Sequence, residues 1–256
     1  MSVEEKPGFG MSAMGAFSVP GPKSENDNLA PQRPAAACAK LAGIDATLDA
    51  SGAVWWANTR TLIVSDLHLE TGSSYARSGQ MLPPYDTALT LARLAEAVGF
   101  YLPRRIIALG DSFHDPFGAE RLNADDRDML IALCGAAEMV WIEGNHDHDS
   151  AHVFGGTAQE TYCLNGVTFR HIPTESAFEG SEVAGHLHPA ARITVRGRTL
   201  KRRAFIGNDR RLVLPAFGCL TGGLAVNDPA FSELWSDGSE PRVHMIGSRG
   251  VYAVPV

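Results

Sequence analysis

From about residue 61 to residue 142, short apolar runs that end in polar clusters alternate with stretches in which apolar residues recur three and four positions apart. The first pattern is that of buried strands and the second that of amphipathic helices. Thr61-Leu62-Ile63-Val64, Arg105 to Leu109, and Met139 to Ile142 are the predicted strands. Leu91, Leu94, Ala95 and Val98 predict a helix over about 87 to 98, with Asp86 able to cap its start and Gly99 its end. A second helix is predicted after Asn123, with Asp125 and Asp126 in its first turn, where the helix dipole favours anions. Strands separated by helices of this length need parallel crossovers, so the fold class is α/β. Beyond residue 160 the helical period disappears, and short strands are expected at about 167 to 170, 182 to 187, 191 to 196, 199 to 206, 211 to 215 and 250 to 254. Arg196-Gly197-Arg198 reads as a hairpin turn between two of them.

Residues 1 to 40 show neither period and are rich in Gly, Pro, Ser, Ala and Asn, so they are expected to form a disordered tail ahead of one catalytic domain over 41 to 256. With 256 residues, 45% of them hydrophobic, the chain can bury a core of single-domain size. A net charge of −7 argues against a surface that is polyanion-binding throughout, so any nucleic-acid contact must be local. Cys38, Cys134, Cys163 and Cys219 are scattered and form no C-x-x-C pair, which fits a reducing cytoplasm rather than a disulfide framework. Neither a secretory leader nor a membrane span is expected, because no cationic-then-apolar N-terminus and no long uncharged apolar run occurs.

Five polar clusters sit at the ends of apolar runs: Asp66-x-His68, Gly110-Asp111, Gly144-Asn145-His146-Asp147, His171, and Gly185-His186-Leu187-His188. Open α/β sheets bind ligands at the carboxyl ends of their strands, so the five can converge on one crevice. Residues i and i+2 of an extended segment point the same way, so Asp66 with His68, and His186 with His188, are expected to grip an ion as pairs. Carboxylate, carboxamide and imidazole donors without a thiolate select Mn, Fe or Zn, and several imidazoles disfavour Mg or Ca alone. Seven donors exceed what one tetrahedral ion needs; two ions sharing a carboxylate would use them all.

D-x-H, G-D, G-N-H-D, a separate His and G-H-x-H, in this order over residues 66 to 188, resemble the calcineurin-like metallophosphoesterase superfamily. The resemblance implies an α/β sandwich of two packed mixed β-sheets flanked by helices. It implies that Asp66, His68, Asp111 and His188 hold one divalent ion, and that Asp111, Asn145, His171 and His186 hold a second, with Asp111 as the bridge. Catalytic His146 would stand over the phosphate rather than bind metal, with Asp147 and Asp115 as candidate supporting groups. Many members carry an Asp three residues after the bridging Asp to orient that His; here the position is His114, and Asp115 follows it.

A closer resemblance runs over most of 44 to 256, through Asp66-Leu-His-Leu-Glu70, Gly72-Ser-Ser-Tyr-Ala76, Gly110-Asp-Ser-Phe-His-Asp115, Gly185-His-Leu-His-Pro189, Leu214-Pro-Ala-Phe-Gly218 and Thr221-Gly-Gly-Leu224. It is to the bacterial ligase-associated DNA-damage-response phosphoesterases, and it implies a hydrolase of the endonuclease or phosphodiesterase type in DNA repair. Of the two divalent ions Mn²⁺ is expected first, with Fe or Zn as alternatives; an ATP-dependent DNA ligase and a helicase as partners enter by that resemblance alone. Residues 192 to 211 hold eight basic residues and one acid, Asp209, in an otherwise acidic chain. This window, with Arg202, Arg203 and Arg210 as candidate substrate contacts, suits a phosphate-binding hairpin. Two other readings fit the same ligand set: a small-molecule phosphatase or nucleotide pyrophosphatase, and a non-enzymatic scaffold.

Overall fold

The computed structural model describes residues 34–146, 151–175, 178–195, 197–235 and 238–255. The first sheet comprises β1 (Ala37–Leu41), β2 (Ile44–Leu48), β3 (Val54–Trp56), β4 (Thr61–Val64), β5 (Arg105–Leu109), β6 (Glu138–Ile142) and β7 (Thr157–Gln159), paired in that order. β1 to β4 form an antiparallel meander, while β4 to β7 are parallel. The parallel strands are joined through α1 (Thr71–Arg77) and α2 (Asp86–Tyr101) on one crossover and through α3 (Gly118–Arg121) and α4 (Ala124–Ala136) on the next. The second sheet holds β8 (Thr161–Leu164), β9 (Val167–Arg170), β10 (Ser181–Ala184), β11 (Pro189–Val195), β12 (Arg198–Gly207), β13 (Arg211–Val213), β14 (Leu224–Ala225), β15 (Arg242–Ile246) and β16 (Val251–Val254), with α5 (Pro229–Leu234) before β15.

Alternation along the central strands explains the layers. Ile63, Ile107, Leu109, Val140 and Ile142 turn one way and pack against Val167, Phe169, Val183, Phe205 and Leu212 of the second sheet. Leu62, Val64, Ile106, Ala108 and Trp141 turn the other way, onto Leu91, Leu94 and Leu130 of the helices. A third core lies on the outer face of the second sheet, where Ala204, Ile206 and Val243 meet Phe231 and Leu234 of α5. The two mixed sheets with flanking helices are the α/β sandwich expected.

Several local expectations are corrected. Ala37 to Lys40 belong to an edge strand and not to a tail. Helix α2 runs through Gly99, which faces open space, and ends where Leu102 adopts a left-handed conformation and donates its N–H to Val98 O at 2.9 Å. Asp86 does not cap its own helix: its carboxylate accepts the Gly72 N–H at 3.1 Å and so pins the start of α1 to that of α2. Asn123 does cap α4, accepting the Asp126 N–H at 2.9 Å.

Arg211, from the basic window, is 1% exposed and paired to the fully buried Glu182 at 2.8 Å. Its other donors reach Leu234 O and Thr174 O, each at 2.6 Å, and its guanidinium stacks over Phe178 and Trp235. Removing Arg211 leaves the buried Glu182 with only the half-buried Arg170, at 3.2 Å, as counter-charge, so Arg211→Ala is expected to destabilise the fold by about 3 kcal/mol, read as a shift in the denaturant midpoint.

Candidate metal centre

Each predicted donor follows the carboxyl end of a strand. Asp66 and His68 follow β4, Asp111 follows β5, Asn145 and His146 follow β6, His171 follows β9, and His186 and His188 follow β10. The first three strands belong to one sheet and the last two to the other, so the site lies where the edges of both sheets meet. The chain does not stay extended there. Asp66, His68, Asp111, His186 and His188 all have φ between 43° and 68°. Five bulky residues in the left-handed region are costly, and they persist only because neighbouring contacts fix them. His68 N–H donates to Asp111 O and Leu69 N–H to Ser112 O, both at 2.9 Å, while Phe217 N–H donates to Ser65 O at 2.7 Å.

This backbone corrects the pairing expected from extended geometry. Asp66 and His68 do share a cluster, but His186 and His188 diverge. One group of ligand atoms within 4.8 Å of one another comprises Asp66, His68 and His188, and the other comprises Asp111, His171 and His186. His188 Nε2 lies 3.1 Å from Asp66 Oδ1, and His171 Nε2 lies 3.3 Å from Asp111 Oδ2. Asp111 Oδ2 is also 3.8 Å from His68 Nε2, which puts this carboxylate between the groups. Asn145 Oδ1 joins the second group at 2.9 Å from His171 Nε2.

The donor set fits cations. His171 Nδ1 faces Leu109 O at 2.9 Å and must carry a hydrogen there, which leaves the Nε2 lone pair aimed inward. Around that lone pair stand Asp111 Oδ2, Asn145 Oδ1 and His186 Nδ1, the last at 3.1 Å. So many acceptors around one point favour a positive charge there, whether a proton on His171 or a cation. His68 Nε2 and His188 Nε2 likewise face each other at 3.4 Å, although only one can donate. Glycines make the room: a Cβ on Gly110 would lie 2.4 Å from His171 Nδ1, and one on Gly185 would lie 1.8 Å from Ser65 Oγ.

Ionisation follows the same geometry. Burial works to raise the Asp66 carboxyl, but its hydrogen bond to His188 and the nearby His188 and His171 rings outweigh this and hold it below its usual range. Asp111 is held low in the same way by His171 and by the His146 backbone N–H. Burial drives His68 down to about 4. Burial also opposes charge on His171, yet its bond to Asp111 and the Asp66 charge raise it to about 8.

His146 donates its backbone N–H to Asp111 Oδ1 at 3.0 Å, while its side chain is 46% exposed with Nε2 3.8 Å from Asp111 Oδ2. It therefore stands at the mouth of the site. His114 stacks near it, with ring centroids 6.1 Å apart, and Tyr75 approaches the His114 ring at 5.5 Å. Asp115 does not reach His146: its carboxylate is held by Arg121 at 2.7 and 2.9 Å and by Phe117 N–H at 2.9 Å. Asp147 lies outside the described residues.

Sequence reasoning missed Ser65, whose hydroxyl donates to Asp66 Oδ2. It also missed Glu70, which accepts hydroxyls from Thr87 at 2.9 Å and Ser73 at 2.5 Å and so fixes the loop after His68. A cavity of about 450 Å³ opens beside Asn145 and His171, bounded by Glu143, Glu160 and Arg170.

The basic window is not one surface. Arg203 donates to Ala216 O at 2.9 Å and Ser51 O at 3.1 Å, with burial lowering its pKa to about 10. Arg210 donates to Phe178 O and lies over that ring, whereas Arg202 is exposed and, among the described residues, reaches Lys201 O at 3.1 Å. Arg203 is thus a structural residue and not a free substrate contact.

Strand ends from two sheets, carrying two Asp/His groups with one carboxylate between them, define the site of a metal-dependent phosphoesterase. In fold and donor set the chain is consistent with the metallophosphoesterase superfamily. It is similar to the Pseudomonas putida nuclease MPE, with 26% identity and a TM-score of 0.66 over 86% of this chain and 100% of that one. Yfce, a phosphoesterase from E. coli, matches at 13% identity and a TM-score of 0.37 over 73% of this chain and 88% of its own. No family model and no curated protein matches the chain.

The value near 8 at His171 has a measurable consequence. In the metal-free fold the raised pKa contributes stability that is full below about 6.5 and lost as pH rises through about 8. Ion binding needs the neutral ring, so Mn²⁺ should bind more tightly as pH rises toward 8 and level off above it. Calorimetric titration in buffers of different ionisation enthalpy should show about one proton released per His171 site at pH 7 and almost none at pH 9.

Proposed function

We propose that the protein is a two-metal phosphodiesterase that cleaves DNA, in a DNA-repair setting, with Mn²⁺ as its working ion. The observation that carries this reading is the split donor set: Asp66, His68 and His188 on one side, His171, His186 and Asn145 on the other, and Asp111 between them. When bound, two divalent ions at such a site polarise the phosphoryl oxygens and make water a strong nucleophile near neutral pH.

The chain's own residues supply the rest. Asp111 accepts the His146 backbone N–H and so fixes the ring's loop against the site. With its ring half exposed at the mouth, His146 can donate an N–H to the leaving oxygen as the phosphorus–oxygen bond breaks, while water adds to phosphorus. His114 lies parallel to the His146 ring, with Tyr75 tilted against His114 on its far side. Similarity to a protein described as a nuclease supports a nucleic-acid diester as substrate. Work alongside an ATP-dependent DNA ligase and a helicase rests on the subfamily resemblance.

Metal-stripped protein reconstituted with Mn²⁺ should hydrolyse bis(p-nitrophenyl) phosphate and nicked, gapped or single-stranded DNA. Asp111→Asn should abolish both activities, and His146→Ala should lower turnover roughly 100-fold or more while retaining bound metal. Turnover of p-nitrophenyl phosphate alone would turn the assignment to a monoesterase. Full metal loading with no turnover on any substrate would turn it to a scaffold.

A further inference from the structure

We propose that the inner face of the β11–β12 hairpin is a track for the phosphate backbone of a nucleic-acid strand, held by Arg192 and Lys201. The proposal deepens the phosphodiesterase reading and rests on it for the identity of the polyanion. The register decides which side chains share a face: Arg192 pairs with Lys201, Ile193 with Leu200, and Thr194 with Thr199. Ile193 turns outward with Ala191 and Ala204 toward the core under α5. Arg192, Lys201, Thr194 and Thr199 therefore turn the opposite way, on the face that Phe205 continues into the core between the sheets.

Among the bases of the window, three are held by the fold. Arg211 is neutralised by Glu182, and Arg203 and Arg210 are tied to carbonyls. The window's one acid, Asp209, is bound by Arg242 at 2.6 Å. Arg192 and Lys201 remain exposed and directly opposite each other, with no acid in ion-pair distance of either among the described residues. Like charges facing across two antiparallel strands repel and destabilise the pair. A bound phosphate between them removes that cost.

Position links the track to the metal centre. β11 begins at Pro189, immediately after the donor His188, so Arg192 lies about 13 Å along the strand from that donor. Lys201 Nζ donates to Gly223 O at 2.6 Å, and the next residue, Leu224, donates its N–H to His188 O at 3.0 Å. Farther out, the Thr194 and Thr199 hydroxyls lie 3.2 Å apart and offer neutral donors along the same line. A strand several nucleotides long can follow this line outward from the metal centre.

The test compares wild type, Arg192→Gln/Lys201→Gln and, as an equal charge change at exposed bases off that face, Arg198→Gln/Arg249→Gln. Each is assayed with Mn²⁺ on bis(p-nitrophenyl) phosphate and a single-stranded oligonucleotide over a range of salt, and for binding of that oligonucleotide by fluorescence anisotropy. The inner-face variant should lower kcat/KM for DNA relative to the small diester at least tenfold, through KM. It should also flatten the logarithmic salt dependence of binding by about 1.4, as loss of two single-strand phosphate contacts requires. An unchanged salt slope in the inner-face variant, or an equal loss in the Arg198→Gln/Arg249→Gln control, would overturn the track. If wild type hydrolyses neither substrate but binds the oligonucleotide, and the inner-face variant does not, the track stands and the phosphodiesterase reading falls.

Discussion

Mutual repulsion among acceptor atoms is the constraint around which this molecule is arranged. Asp66, Asp111, Asn145 and the inward nitrogens of four histidines are brought within a few ångströms of one another with too few hydrogens to go round. No protein tolerates that cheaply. Proton uptake at His171 offsets part of it in the metal-free chain, and a bound cation would offset more. The left-handed backbone at five donors, the glycines at 110 and 185 that leave no Cβ in the way, and the brace from Ser65 and Glu70 all serve to hold the acceptors against this repulsion.

The hydrophobic architecture supplies the opposing force. The inner faces of two sheets bury Ile107, Leu109, Val140, Phe169, Val183 and Phe205 against one another. Register between β4, β5 and β6 is parallel and regular, so their carboxyl ends finish at one level. β9 and β10 do the same in the second sheet. The polar site is thus the rim of an apolar sandwich, and its geometry is inherited from packing several residues away.

Much of this was legible in the sequence, for physical reasons that differ by element. β4, β5 and β6 are continuous apolar runs because both faces of the sheet are covered, and such runs stand out against their helices. The donors were legible because each follows a strand, and a site at strand ends needs them there. The meander β1 to β3 was not, since an edge strand such as Ala37–Leu41 alternates small and exposed residues and carries little apolar signal. Nor could extended geometry describe Asp66 to His68 or His186 to His188, where the chain enters the left-handed region. Charge counting could not separate Arg211, which sits beside Glu182 in the core, from Arg192, which sits in water. Partners twenty or more residues distant made that difference, and they include the carbonyls of Leu234 and Thr174.

Each group of donors draws on both sheets: Asp66 and His68 meet His188, and Asp111 meets His171 and His186. Any ion seated there becomes a cross-link between layers that otherwise meet through apolar side chains and a few hydrogen bonds such as that of Phe217 N–H to Ser65 O. The spacing of the sandwich is then read directly by the chemistry, because a fraction of an ångström lost or gained in the core at Phe169 or Val183 alters how well opposite halves of a coordination shell meet. Core and catalyst in this protein are tuned by the same dimension, and neither can drift in evolution without the other.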